Sequence, residues 1–243
     1  MAIYIIDESQ RKAARIAGLM YPITIITANI VEHYVRGQLV IHGDAMQTAK
    51  NIAASAQLFR LGVASDLLTL VCDVILVVAL YVVLKPINRN LALLAVFWWL
   101  VECSMVATTI ACDFAALLLL SGATGSLPAL NTEHLQELAR LSITMGTAGN
   151  RVAALFFGLG STLFCYLWFK SRYVPRVLAG WGILSSLVPT VIPFATIVFS
   201  ALADAPLRRA RSGIPIAIFE AAIGLWLLIK GIQPPAVEVT TSA

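Results

Sequence analysis

Charge is what this 243-residue sequence has least of: 12% of its residues are Asp, Glu, Lys or Arg, while 59% are apolar and the mean hydropathy is +0.86. A soluble domain carries about one quarter charged residues, so the shortage excludes an ordinary water-soluble globule and makes lipid the solvent. The net charge of +4 is no nucleic-acid signal, because the basic residues sit at hydrophobic boundaries and form no single patch. Histidine is scarcer still, with three in the chain, and His42 and His134 fall outside the apolar runs. Cys72, Cys103, Cys112 and Cys165 all lie inside apolar stretches without metal-type spacing, as small packing residues do. No metalloprotease HExxH, P-loop, GxSxG elbow or dinucleotide fingerprint occurs in a usable context, which leaves any cofactor unknown. The N-terminal run is expected to stay attached as the first span. Arg11, Lys12 and Arg15 precede an apolar run too long for a signal core, and that run ends in Glu32, His33 and Tyr34 without a small-residue cleavage site.

What is present is a series of runs near the ~20 apolar residues that cross a bilayer. They predict an all-α membrane protein, one polytopic domain over 1–243, with about six transmembrane helices near 14–35, 64–84, 91–119, 146–169, 178–199 and 214–232. A flexible tail is expected over 233–243. Between the first two spans, an amphipathic segment capped by Asp44, with Gln47 in the reciprocal position, places Met46, Ala49, Ala53 and Ala56 on one side. This reads as a short interfacial helix. A second short polar helix is expected between the third and fourth spans, after the Gly/Pro-containing stretch 121–128. Asn131 or Thr132 would cap it, with Leu135, Leu138 and Ile143 facing inward. Pro189 and Pro193 predict a kinked fifth span with freed carbonyls.

Three spans end alike: Tyr81 before Lys85, Tyr166 before Lys170, and Trp226 before Lys230. A ring, a turn of apolar residues and a lysine make an interfacial anchor, which places these three ends at one membrane face. That face, with both termini, carries Arg11, Lys12, Arg15, Lys85, Arg89, Lys170, Arg172, Arg176 and Lys230 close to helix ends. The other carries Arg36, Lys50, Arg60, Arg140, Arg208, Arg209 and Arg211. The excess of basic residues predicts that both termini are cytoplasmic.

The informative residues are the ionisable ones inside spans, since a charge at mid-bilayer costs at least ~2.5–3.5 kcal/mol. They are Glu32, His33, Asp66, Asp73, Glu102, Asp113, Arg151 and Glu220. Asp66 and Asp73 share one helix face, and Glu102 and Asp113 share another, with Thr109 between them. Followed through the topology, all eight fall between the midplane and the outer surface, as though lining a cavity open outward and closed inward. Six carboxylates against one arginine and one histidine leave some of them protonated or balanced by a bound cation. The deeper residues Asp73, Glu102 and Glu220, with Arg151 to tune them, are candidates for acid/base chemistry, with Glu102 and Asp73 as acid and base. Glu32, His33, Asp66 and Asp113 are candidates to bind a substrate or cation. The same polar residues also serve as glue between transmembrane helices.

The chain resembles a bacterial membrane family catalogued as domain of unknown function 4386 over about residues 11–231. The likeness rests on several stretches of the sequence. The first comprises Arg11-Lys12-Ala13-Ala14-Arg15-Ile16-Ala17-Gly18, Gly43-Asp44, Thr48-Ala49, Asn51-Ile52 and Leu58-Phe59-Arg60. It continues through Asp66, Asp73, the run from Leu80 to Arg89, Leu91 to Ala95, Phe156-Phe157-Gly158, Pro175-Arg176 and Trp226 to Gly231. The resemblance implies six helices in the inner membrane and no established activity. It also implies an arginine where this chain has Trp99, and hence Arg151 as a replacement counter-charge for Glu102. Three classes stay open: acid/base chemistry on, or binding of, a lipophilic small molecule; a proton- or cation-coupled transporter; and a non-catalytic accessory or sensor protein. The bilayer is the one partner the sequence requires; a lipophilic or cationic small molecule fits it, and nucleic acid does not.

Overall fold

A computed structural model describes residues 6–41, 45–121, 132–199 and 206–233. Asp44, Asn131 and the tail from 234 lie outside the described residues. Every regular element among them is helical: α1 (Glu8–Ile30), a π-helical turn (Val31–Arg36), α2 (Gly37–Leu39), α3 (Ala45–Ala54), α4 (Ala56–Leu84), α5 (Arg89–Leu120), α6 (Thr132–Ser171), α7 (Arg176–Val198) and α8 (Pro206–Ile229).

Five helical stretches are long and apolar enough to cross a membrane: Glu8–Leu39, Ala56–Leu84, Arg89–Leu120, Glu133–Ser171 and Arg176–Ala195. The expected sixth span is shorter than the others, with an apolar helical stretch of Gly213–Ile229. Its helix opens on Arg208, Arg209 and Arg211, which shortens the apolar part, and it stops at Ile229 because Gly231 adopts a left-handed φ of 66°. There the Gly231 N–H closes the helix end on the Trp226 carbonyl at 3.1 Å. The protein is thus an all-helical, multi-span membrane protein.

Two further expectations are corrected. The polar segment before the fourth span is no separate helix: α6 runs unbroken for 40 residues, because Gly146 and Gly149 interrupt nothing without a proline beside them. Along it Ala139 is buried, whereas Leu138 is exposed. The segment between the first two spans does form a ten-residue helix, α3, but Thr48, Ala49 and Ile52 are the buried residues among its described side chains, which do not include Met46, and Ala53 is exposed. Thr48 Oγ1 accepts the Ile41 N–H at 2.9 Å and Asn51 donates to the Leu39 carbonyl at 3.3 Å, so polar bonds tie this face to the end of α2.

The chain forms two compact units. The first comprises 1–22, 75–99 and 157–243; the second comprises 23–74 and 100–156. In the first unit, α1 starts earlier than its apolar run because Asp7 and Gln10 cap it reciprocally, Asp7 Oδ1 accepting the Gln10 N–H at 2.6 Å and Gln10 Oε1 accepting the Asp7 N–H at 3.1 Å. Its core gathers Leu76, Leu80, Leu84, Phe164, Trp168, Phe219, Ile223 and Leu227. Where α1 crosses α8, backbones meet through glycine: a Cβ on Gly18 would stand 2.8 Å from the Leu228 nitrogen, and one on Gly224 would stand 2.8 Å from Tyr21 Cβ. The atoms facing Gly18 are backbone and cannot step aside. Gly18→Leu therefore lowers the thermal unfolding midpoint of the detergent-solubilised protein by several degrees, as overpacking of about 1–3 kcal/mol requires. An unchanged midpoint would show that the crossing is loose. All three ring-and-lysine helix ends belong to this unit, and at one of them Lys230 Nζ stands 4.5 Å from the Trp226 ring centroid.

The core of the second unit joins Val31 and Val35 to Ile52, Phe59, Val63, Ile110 and Leu117. Polar pairs lock its helices. The Thr69 hydroxyl donates to Thr27 Oγ1 at 2.7 Å, Ser142 donates to the Cys112 carbonyl at 2.8 Å, and Thr109 donates to the Gly146 carbonyl at 3.1 Å.

Candidate functional site

Seven of the eight intramembrane ionisable residues fall in the second unit; Glu220 alone belongs to the first. The best-defined contact there is made by a residue outside that group of eight. Arg36 Nη2 lies 2.8 Å from Asp66 Oδ2 and 2.9 Å from Asp113 Oδ2, so one guanidinium nitrogen bridges carboxylates from α4 and α5. The two aspartate side chains are 15% and 10% exposed and that of Arg36 is 30% exposed, so the cluster is largely removed from solvent. Glu32 is itself exposed, but its charge acts on both Arg36 and Asp66.

Local structure explains how Arg36 arrives. The apolar face of α1 continues past Ile30 through Val31 and Val35, both buried. Between them the helix widens into a π turn, closed by the Gly37 N–H on the Glu32 carbonyl. Gly62 makes the approach possible, since a Cβ there would stand 2.8 Å from Val35 Cγ1. The first span expected from hydropathy, near 14–35, stops one residue short of Arg36. The overlooked signal was the i, i+4 pair Val31–Val35, followed by a cation one residue on, with no helix breaker before Gly37.

Deeper along α4 and α5 are Asp73 and Glu102, both half-buried and close enough for their charges to interact. The Cys103 thiol lies 3.4 Å from Glu102 Oε2 and donates to it. Among the described residues, no cation pairs with either carboxylate. At about 1.5 Å per residue, Asp73 lies ~10 Å along its helix from Asp66 and Glu102 ~16 Å from Asp113. The helices run antiparallel, so both displacements lead the same way, away from the arginine clamp.

The remaining candidates are placed apart from these contacts. His33 is exposed. Glu220 is half-buried on α8, and its charge acts on buried Cys165 of α6. Arg151 is exposed and makes no ion pair or hydrogen bond among the described residues. Substituting Arg151 with glutamine therefore shifts the unfolding midpoint by no more than about 1–2 °C, the effect of ~0.5 kcal/mol or less at an open surface site. A larger drop would reveal a partner for its guanidinium.

Trp99, at the position where the resemblance implies an arginine, is an interior residue of the first unit. It stacks on Phe157 at 5.5 Å, meets Phe164 edge-on at 5.8 Å, and donates its indole N–H to Ser161 Oγ at 3.2 Å. Gly160 leaves the room its ring occupies. No group of three or more potential metal ligands occurs among the described residues.

Comparison with curated proteins and with solved structures yields no match. One family does match, across nearly all of the helical region and both units: by residues 16–231 the chain belongs to the family described as Domain of unknown function (DUF4386).

Proposed function

We propose that this membrane protein binds, inside the bilayer, a lipophilic small molecule carrying a cationic or basic group, with Asp73 and Glu102 as its counter-charge and as the site of any proton exchange. The observation that carries the reading is the division of labour on α4 and α5. Asp66 and Asp113 already have a cation in Arg36, whereas the deeper pair has none among the described residues. Two neighbouring carboxylates in an apolar span repel unless something positive joins them, be it a proton or the charged end of a ligand. A lipophilic cation supplies that charge and buries its apolar body in the same step.

Asp66, Asp113 and Glu32 then form the outer rim, with Arg36 holding the rim closed and His33 beside it. The chain sits in the bacterial inner membrane with both termini cytoplasmic and α3 at the outer interface. The charge pattern at the helix ends supports this orientation.

The test uses tetraphenylphosphonium as probe, measured by equilibrium dialysis on the detergent-solubilised protein. Saturable binding in the wild type, lost at least tenfold in Asp73→Asn/Glu102→Gln and kept in Arg151→Gln, is the expected outcome. Equal binding by the double variant would remove the carboxylate pair from the account. Cysteine replacements at Tyr81, Tyr166 and Trp226 separate a one-sided site from a carrier. One-sided binding leaves them unreactive to membrane-impermeant thiol reagents from the cytoplasmic side, and alternating access exposes them when ligand is present.

A further inference from the structure

We propose that the second unit also holds a structural site for an anionic glycerophospholipid, with one acyl chain in a groove between α4 and α5 and its phosphate on Arg60. The groove has a volume of about 390 Å³ and is lined by Arg60, Ala64 and Leu67 on α4 and by Ala107, Ala111, Phe114 and Leu117 on α5, among others. The three alanines create the hollow, since larger neighbours flank each of them. Arg60 is the one charged group in an otherwise apolar lining.

Charge and depth both select the occupant. Arg60 is exposed and makes no ion pair or hydrogen bond among the described residues, so its guanidinium is available to an anion. Helix α4 has 29 residues. At about 44 Å it outruns the ~30 Å hydrocarbon core, so its first turns, Arg60 included, stand at headgroup level. From Ala107 to Leu117 the groove follows α5 for about 15 Å, half the hydrocarbon thickness and the reach of a chain in one leaflet. A basic side chain at the rim and an apolar trough below it match a phosphodiester and its acyl chain. A second copy of the protein matches poorly, since its helix would seal Arg60 against apolar surface without a counter-charge. The site differs from the carboxylate pair in the sign of the ligand it takes, and it stands or falls independently of that pair.

Native mass spectrometry of the full-length protein in detergent tests the site, using phosphatidylglycerol and phosphatidylcholine as the two probes. One phosphatidylglycerol should bind at least tenfold more tightly than phosphatidylcholine. Arg60→Gln should reduce that preference to parity, and Arg60→Lys should retain most of it. Ala111→Leu, at an exposed position in the trough, should weaken both lipids while leaving the unfolding midpoint in place. Undiminished phosphatidylglycerol binding in Arg60→Gln or Ala111→Leu would overturn the proposal. So would a lipid-free dimer of the wild type that Ala111→Leu converts to monomer, because the groove would then belong to a second copy. Tetraphenylphosphonium binding is unaffected by these substitutions, which keeps failure of this site distinct from failure of the carboxylate pair.

Discussion

Replacing Arg36 by glutamine should lower the thermal unfolding midpoint by roughly 6–12 °C, a large effect for a polar substitution on this chain. The two carboxylates that Arg36 bridges are 15% and 10% exposed. Without the guanidinium, Asp66 and Asp113 face each other as like charges with no cation to separate them. Removing one partner of such a buried pair costs ~3–5 kcal/mol, and the partial exposure of Arg36 places this case near the lower bound. For a chain of this size each kcal/mol is worth about 2–4 °C. Lysine at position 36 should recover part of the loss, since a single nitrogen, Nη2, makes both contacts and an ammonium with three donors can also meet two carboxylates. The decisive comparison adds Asp66→Asn and Asp113→Asn to Arg36→Gln. If the penalty is the uncompensated charge, the triple variant regains most of the lost midpoint. If the midpoint stays low in the triple variant, the penalty comes from lost packing of the Arg36 stem. If Arg36→Gln alone shifts it by less than 1 °C, the clamp contributes nothing measurable.

Five of the six expected spans were legible in the sequence because burial in lipid demands long apolar runs, and such runs need no knowledge of their neighbours. Their ends were less legible, for reasons that differ by residue. The start of α1 was signalled by Asp7 and Gln10, a capping pair that lies in polar sequence outside the hydropathy window. The polar segment preceding the fourth span looked separate because its outer face is charged, yet nothing between Thr132 and Ser171 stops a helix. The site was legible only by composition. Carboxylates at Asp66, Asp73, Glu102 and Asp113 stand out in an apolar chain, and their spacing places them on facing stripes. Which of them share a counter-ion depends on a π turn that rotates Arg36 into place, and no periodicity announces such a turn. Arg151 drew attention as the lone arginine inside a span. Arg36 neutralises Asp66 and Asp113 from a position that reads as the end of a helix.

Neutralising the deeper pair should have the opposite sign. If Asp73 and Glu102 were polar glue, Asp73→Asn/Glu102→Gln would loosen α4 from α5 and lower the midpoint. On the present account the pair is kept for its ligand at a cost to the fold, because two half-buried carboxylates repel and lack a cation among the described residues. Relief of ~1 kcal/mol of repulsion raises the midpoint by about 2–4 °C in the absence of ligand. Ligand reverses the ranking. A probe at a hundred times its dissociation constant stabilises the wild type by ~2.7 kcal/mol and does nothing for a variant that cannot bind it.

The most direct measurement is therefore a thermal unfolding series on wild type and Asp73→Asn/Glu102→Gln, each with and without saturating tetraphenylphosphonium. The account predicts that the double variant melts higher than wild type without the probe and does not respond to it, while the wild type gains about 5–10 °C on adding it. A double variant that melts lower than wild type, or that gains as much from the probe as the wild type does, would contradict it.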